Sequence, residues 1–494
     1  MLGLEILLLV LYGLCLLFVL AFSLTQWQLT RLARRALAAA ADVPAPLLPA
    51  SEAQWPRVTV QLPVYNELNV VERIIDAAAA LDYPAGRLQI QVLDDSTDES
   101  VALAAARVAA HRARGVDIEH VRRPDRLGYK AGALAHGLQS ASGELVAIFD
   151  ADFVPAPDFL RRTVPYFQHE PELGAVQTRW GHLNEDYSLL TELQAFGLNA
   201  HFMVEQVGRH AGQHFINFNG TGGVWRRRCI ELAGGWQADT LTEDLDLSYR
   251  AQLGGWQFRY LPGVVAPAEL PAQMDALRSQ QHRWNKGGAE TARKHLGRVW
   301  RSAGLSLTTK LYATFHLLNS AVFVAVLLMG LLSVPLLIIQ TRTPELRWPF
   351  RLAGLSVLSL LPLVAYYHAA WRWSGATGRL RFGPKLLLFL SISMGLSLHN
   401  GWAVLTGLAG RLTPFVRTPK SGLTRPGTPT RGRRYRTGSV NGQTLLEALL
   451  TAYFLGGIAL AFHYDNYGLL PFHLLLAAGY GAVVYYSVRH ARAA

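Results

Sequence analysis

The sequence predicts an α/β domain built on a mainly parallel sheet and joined to an α-helical transmembrane bundle. Three observations carry this. Half of the 494 residues are hydrophobic while 17% are charged, which suits neither an ordinary soluble enzyme nor a pure membrane bundle. Apolar runs close to the roughly 20 residues of a spanning helix occur at Ile6–Leu24, Leu318–Ile339, Leu352–Trp371, Leu445–Phe462 and Leu469–Ser487. Between the first two lie roughly 290 residues in which strand-like and helix-like stretches alternate, enough for one domain with its own core.

The net charge of +12 does not by itself indicate nucleic acid, because of where the charges fall. Arg31, Arg34 and Arg35 follow the first span and Glu5 is the only charged side chain before it. The positive-inside rule then puts the N-terminus outside and the large domain in the cytoplasm. A cleaved signal peptide would show the reverse charge order. A sixth apolar stretch, Leu386–Leu408, is expected to lie at the membrane interface, since it contains Ser391, Ser393, Ser397, His399 and Asn400. Were it to cross, the loop carrying Arg411, Arg417, Lys420, Arg425, Arg431, Arg433, Arg434 and Arg436 would lie outside, against the same rule. Attraction to lipid headgroups is the competing account of that basic loop. Cys15 and Cys229 supply neither a disulfide framework nor a metal site. The expected organisation is a transmembrane helix over 1–28, a basic linker over 29–55, the α/β domain over 56–300, two transmembrane helices over 301–373, an interfacial helix over 374–410, a basic cytoplasmic loop over 411–443, and two transmembrane helices with a short tail over 444–494.

Within the large domain, "RVTVQLPVYNE" (57–67) reads as a buried strand and "NVVERIIDAAAALDYP" (69–84) as a helix stopped by Pro84. "RLQIQVLDDSTDES" is a second strand with acids at its carboxyl end, followed by the helix "VALAAARVAAHRAR". "VDIEHVRR", "GYKAGALAHGLQSA" and "ELVAIFDAD" continue as strand, helix and strand. This alternation implies parallel strands with helices on both faces, and such sheets bind ligands at the carboxyl ends of their strands.

The chemistry-bearing residues fall at those ends. Asp150 and Asp152 close a strand as D-A-D; carboxylates so spaced can reach one hard divalent cation, which in turn holds a diphosphate. Acids at strand ends also often only solvate a loop. Asp95, with Asp94 beside it, is placed to accept hydrogen bonds from a nucleobase or ribose, and Lys130, near a helix start, to meet phosphate oxygens, with a plain solvated lysine as the competing reading. Asn219 and Thr221 offer amide and hydroxyl groups suited to a sugar, and Gly220, Gly222 and Gly223 permit close backbone approach; a simple glycine-rich turn competes. In "TLTEDLDLSYR", Thr242 reads as an N-cap, so Glu243 and Asp244 fall in a first turn where the helix dipole favours carboxylates without any catalytic reason. A first-turn carboxylate facing a cleft is also well placed to take a proton from an acceptor hydroxyl. Asp246, about 200° around the helix from Asp244, reads as structural. In "SQQHRWNKGG", Arg283 offers a planar fork for phosphate, Gln280 lies one turn behind it, and Trp284 presents a flat face to a sugar ring. An amphipathic membrane helix would use the same Arg and Trp as anchors.

Taken in order, Asp95, Asp150-Ala151-Asp152, Thr242-Glu243-Asp244 and Gln280-Gln281-His282-Arg283-Trp284 resemble the D, DxD, TED, QxxRW signature of membrane-integrated family 2 glycosyltransferases, the group that includes cellulose synthases. "FNGTGGVWRR", "TEDLDLSYRAQLGGW" and "QQHRWNKGG" look most like the cellulose-synthase-like A and C enzymes, which make mannan or glucomannan and the glucan backbone of xyloglucan. The resemblance is dense over Val58–His295. It implies a nucleotide-diphospho-sugar transferase (GT-A, Rossmann-like) fold and an inverting transfer of a hexose from UDP-glucose or GDP-mannose to a growing β-linked polysaccharide. It implies Mg²⁺ or Mn²⁺ as cofactor, the lipid bilayer as partner, no nucleic acid, and residence in a bacterial cytoplasmic membrane. A glycolipid synthase sharing the D and DxD motifs is the alternative. Carried across, Asp94 and Asp95 contact the nucleoside, Asp150 and Asp152 hold the diphosphate and metal, and Asp244 is the general base supported by Glu243 and Thr242. Gln280 and Arg283 grip the diphosphate, Trp284 stacks on the acceptor, and Gln177, Arg179 and Trp180 match a stretch lining both subsites. "FVRTPK" (415–420) resembles the F-x-V-T-x-K gating loop, which assigns that role to Phe415, Thr418 and Lys420, with Arg417 standing where the pattern has valine.

Overall fold

The computed structural model describes residues 2–39, 46, 48–343, 358–375, 378–411, 413–420, 422–423 and 440–493. A seven-stranded sheet in the order β3-β2-β1-β4-β6-β5-β7 centres the large domain. Its strands are β1 Val58–Val64, β2 Leu88–Asp94, β3 Ile118–Val121, β4 Leu145–Ile148, β5 Leu173–His182, β6 Gly223–Arg226 and β7 Gln257–Ala268. Every pairing is parallel except β4–β6 and β6–β5, so β6 alone runs against the rest. The first four strands are parallel because helices Val71–Ala79, Ser100–Arg112 and Tyr129–Ser140 intervene between them, and a helical crossover returns the chain in the same direction.

Each face of the sheet carries its own core, and β4 shows the division directly. Leu145 and Ala147 join Val60, Leu62, Ile74, Ile90 and Phe159 on one side, while Val146 and Ile148 join Leu134, Phe218, Trp225 and Leu247 on the other. That is the two-residue alternation of a strand buried on both faces. The polar strand residues are paired: Gln61 Nε2 donates to Gln91 Oε1 at 3.0 Å, and Gln91 Nε2 to Glu119 at 2.9 Å, forming a ladder across β1, β2 and β3. The chain moves from β1 out to β3 and then returns to the other side of β1 with β4. The crevice at such a reversal, at the carboxyl ends, is where open α/β sheets take ligands.

Among the described residues, four helices are long and apolar enough to cross a membrane: Leu2–Ala39, Ala321–Arg342, Gly442–His463 and Leu470–Ala493. The first does not stop near residue 28. It continues through the stretch expected as a linker, because no Gly or Pro interrupts residues 14–39, and it buries Leu29 and Ala33 against the large domain. Of the expected span Leu352–Trp371, residues 352–357 lie outside the described residues; the remainder falls in the helix Leu360–Trp373. Leu386–Leu408 forms two helices, Phe382–Gly395 and Ser397–Leu408, bent by 50° at their junction. Both ends of this pair return to the large domain. Lys385 lies 2.7 Å from Glu192, and Gly407 packs on Lys286 and Ala289. Arg425, Arg431, Arg433, Arg434 and Arg436 lie outside the described residues.

At the bend, Gly395 and Gly479 bring two helices into backbone contact: a β-carbon on either would fall on main-chain atoms of the other helix. Gly479→Val is therefore expected to cost about 1–3 kcal/mol by overpacking, read as a lowered thermal unfolding midpoint of the detergent-solubilised protein.

Candidate active site

Lys130 is the hub of the site. It sits in the first turn of the Tyr129–Ser140 helix, which Gly128 enters in the left-handed conformation (φ 72°). Its Nζ lies 2.5 Å from Asp150 Oδ1, 2.9 Å from the Gly220 carbonyl and 3.9 Å from Glu243 Oε1. Three separate chain segments thereby converge on one ammonium group. Burial works against its charge, but the Asp150 and Glu243 carboxylates outweigh burial and hold its pKa above the ordinary lysine value.

Glu243 and Asp244 open the helix Glu243–Leu253. Burial first, and then the neighbouring Glu243 carboxylate, push Asp244 up to about 7, against the lowering influence of Lys130. Burial likewise raises Glu243. Gly220 (φ 79°) lies directly against Asp244: a β-carbon there would come 3.1 Å from Asp244 Oδ2 and 3.4 Å from Lys130 Nζ. Asp246, by contrast, turns into the protein and meets His295 at 2.7 Å, Lys294 at 2.8 Å and Arg250 at 2.8 Å. Burial opposes its charge, yet the His295 and Lys294 hydrogen bonds prevail and bring it down to about 2.

Residues 413–420 lie over this cleft. Lys420 Nζ is 2.5 Å from Asp152 Oδ2, and Arg417 is 2.9 Å from Glu67, which follows β1. Phe415 stacks on Tyr129 with ring centroids 5.3 Å apart, and the Arg283 guanidinium sits 4.9 Å from the Phe415 ring while donating to the Val416 carbonyl at 3.1 Å. Thr418 is buried, and its hydroxyl has no hydrogen-bond partner among the described residues. On the membrane side, Trp284 and Trp180 face each other at 6.3 Å, and Trp180 leans on Phe153 and Phe202. Gln280 is half-buried one turn before Arg283.

Several of the expected site residues also bond to the surrounding framework. Asp94 is fully buried and receives His120 Nε2 at 2.8 Å and the Ser96 N–H at 2.8 Å, so it braces the turn after β2. Asp95 is engaged on both oxygens by Arg123, at 2.7 and 2.6 Å. The Gln177 amide donates to the Thr178, Thr221 and Gly222 carbonyls and accepts from the Asn219 N–H, so it holds the glycine-rich turn. Thr221 Oγ1 accepts from the Asp150 N–H at 2.9 Å, and Asn219 is held at both ends of its amide by His201 and Gln206. Thr242 occupies the N-cap position without capping: its hydroxyl lies 3.3 Å from Thr291 Oγ1, drawn away by the helix Met274–Arg301 packed against it.

The two D-A-D carboxylates fit a divalent cation on an observation of their own. Asp152 Oδ1 is buried with no hydrogen-bond partner among the described residues, and both residues already attract ammonium groups, Lys130 at Asp150 and Lys420 at Asp152. Among the described residues no group of three or more His, Cys, Asp or Glu is arranged to hold a metal ion.

The profile described as "Glycosyltransferase like family 2" matches residues 56–287. The chain is 39% identical over 378 residues to "Glucomannan 4-beta-mannosyltransferase 7" of Arabidopsis thaliana, covering 75% of this chain and 66% of that protein. It is 36% identical over 452 residues to "Probable glucomannan 4-beta-mannosyltransferase 9" of Oryza sativa subsp. japonica, covering 88% of this chain and 82% of that one. The chain belongs to the cellulose-synthase-like family 2 glycosyltransferases. A solved structure, "Mannosyltransferase PcManGT from Pyrobaculum calidifontis in complex with GDP-Man and Mn2+", shares the fold with a TM-score of 0.53 at 20% identity, over 82% of this chain and 100% of that one.

The site of this family 2 glycosyltransferase also contains residues that the motifs did not single out. Arg123 follows β3 and meets Asp95, which follows β2; the parallel register of two neighbouring strands was the available signal. Glu67, Arg126 and Tyr65 gave no such signal, because the partners of Glu67 and of the stacked Arg126 are set by loops. Gly287 lets the QQHRW helix touch the T-E-D segment: a β-carbon there would lie 2.5 Å from Thr242 Cγ2 and 2.7 Å from its Oγ1. Gly287→Ala is accordingly expected to lower transfer at least about tenfold through displaced Glu243 and Asp244, with nucleotide-sugar binding measured by calorimetry little changed. With Asp244 in the role of base that the resemblance implies, the group must be ionised, and it loses its charge as pH falls through its raised pKa. The transferase should therefore gain activity with an acid limb near neutrality, and the limb should be absent from donor binding measured over the same pH range.

Proposed function

We propose that this glycosyltransferase is an inverting, metal-dependent synthase of a β-linked glycan, drawing a hexose from a nucleotide sugar. The observation that carries the reading is the convergence of D-A-D, the Gly220 turn and T-E-D on Lys130, with the loop 413–420 laid across them. Asp244 takes the proton of the acceptor hydroxyl. That oxygen attacks the anomeric carbon from the face opposite the diphosphate, the carbon–oxygen bond to the diphosphate breaks, and the nucleoside diphosphate departs with the electron pair. One displacement converts an α-linked donor into a β-glycoside. Lys130 and Arg283 offset the charge that develops on the leaving diphosphate, and Trp284 with Trp180 holds the acceptor ring. A bound Mg²⁺ or Mn²⁺ would screen diphosphate charge; Asp150 and Asp152 would hold it.

The names of the plant relatives favour mannose as the transferred sugar, a β-1,4-mannan or glucomannan as product and GDP-mannose as donor, with UDP-glucose as the competing donor. The archaeal structural neighbour was solved with GDP-Man and Mn²⁺, which supports Mn²⁺ as the first metal to try. The enzyme is an integral membrane protein. We place its N-terminus outside and its catalytic domain in the cytoplasm, with Leu386–Leu408 lying at the inner interface and the product leaving through the helices behind Trp284. The plant relatives lend no support to a bacterial membrane in particular.

The purified protein is to be incubated separately with radiolabelled GDP-mannose and UDP-glucose, and the product digested with linkage-specific glycanases. Polymer released by a β-1,4-mannanase is the expected result; a short lipid-extractable product resistant to it would identify a glycolipid synthase instead. Asp244→Asn should lower turnover by about a thousandfold or more while leaving nucleotide-sugar binding nearly intact; unchanged turnover would remove Asp244 from the role of base.

A further inference from the structure

After the helix Leu189–Ala200 the backbone makes one π turn, His201–Glu205, in which the Gln206 N–H reaches back five residues to the His201 carbonyl. Such turns are rare and gather at functional sites. Here the wider winding brings His201 and Gln206 to one side of the helix, where they grip the two ends of a single amide. Asn219 Nδ2 lies 3.0 Å from His201 Nε2, and Gln206 Nε2 donates to Asn219 Oδ1 at 2.7 Å. His201 is fixed from behind. Its Nδ1 is 3.0 Å from Glu205 Oε2, an oxygen that also accepts from Arg209 at 3.1 Å, and Tyr366 Oη donates to the other Glu205 oxygen at 3.2 Å. A carboxylate held in this way keeps the imidazole proton on Nδ1 and leaves Nε2 to accept from Asn219. The next residue is Gly220, whose carbonyl receives Lys130 and at which a β-carbon would come 3.1 Å from Asp244 Oδ2.

We propose that His201 is a positioning residue for glycosyl transfer. With Gln206 it clamps Asn219, and the clamp fixes the Gly220 turn that seats Asp244 and Lys130; the imidazole itself touches neither sugar. The inference rests on Asp244 acting as the base.

Two near-isosteres separate the two ring nitrogens. The side-chain oxygen in His201→Gln stands close to the position of Nε2 and restores the acceptor for Asn219. The amide in His201→Asn stands close to Nδ1, keeps the Glu205 contact and abandons Asn219. In the full-length protein, assayed by incorporation from radiolabelled GDP-mannose and UDP-glucose, His201→Gln should keep kcat within about threefold, and His201→Asn should lower it at least about tenfold with the donor KM within about twofold. A parental kcat for His201→Asn, or equal loss in both variants, overturns the proposal, since a role confined to satisfying Glu205 would spare the asparagine variant. Should His201→Asn fail to fold, Gln206→Met removes the other jaw and leaves the Glu205 pair intact; it should show the same loss of kcat, and parental kcat there overturns the clamp. Failure of the base reading would appear separately, as an active Asp244→Asn, whatever the His201 variants do.

Discussion

The ammonium group of Lys130 is what allows the rest of the site to exist. Asp150, Glu243 and Asp244 are brought to one poorly solvated cleft, where unpaired carboxylates would repel each other and lose hydration worth several kcal/mol apiece. Lys130 reaches Asp150 and Glu243 directly and also ties down the Gly220 carbonyl. It leaves Asp244 only partly compensated, which is why burial and Glu243 raise that carboxyl while Asp246, two residues on and surrounded by His295, Lys294 and Arg250, is driven the other way. Two aspartates of one helix thus receive opposite properties from their surroundings alone.

The same requirement explains how the loop 413–420 is held. Glu67 and Asp152 follow neighbouring strands, both nearly buried, and their counter-charges come from Arg417 and Lys420 of the loop. These two cations face the protein interior, so headgroup attraction does not account for them. Arg417, the departure from the gating pattern, supplies one of the two ion pairs. Arg283 completes the arrangement from the opposite wall, against the Phe415 ring and the Val416 carbonyl.

The helix Met274–Arg301 transmits position between the membrane and the chemistry. Its early part meets the spanning helices through Arg278 and Glu447, its middle presents Arg283 and Trp284 to the cleft, and Gly287 rests on Thr242. Glu290 accepts from the Leu241 N–H at 2.8 Å, while Lys286, 3.6 Å from Glu290, bonds Thr413 at 2.5 Å. The T-E-D segment and the start of the covering loop are therefore anchored on adjacent turns of one helix, so a shift of that helix relative to the sheet would move both.

Strand and helix order, the acids at strand ends and the ordered D, DxD, TED and QxxRW motifs were legible in the sequence, because they depend on local periodicity and on spacing along the chain. The role of each polar group was not. Gln177, Asn219 and Thr221 have side chains that suit a sugar, yet each finds backbone or side-chain partners across the turn, and whether an amide faces a ligand or its own framework depends on what packs behind it. Thr242 holds the N-cap position that the sequence indicates, yet the neighbouring helix redirects its hydroxyl away from the cap. The first helix outran its expected end because its alanine-rich continuation gains a protein surface to pack on, which hydropathy alone does not register. Sequence by itself determined which chemistry was available and at which edge of the sheet. Only the tertiary structure decided which carboxylates are paired and which are left with a raised pKa, because charge compensation in a buried cleft is set by residues distant in the chain and a few ångströms apart in space.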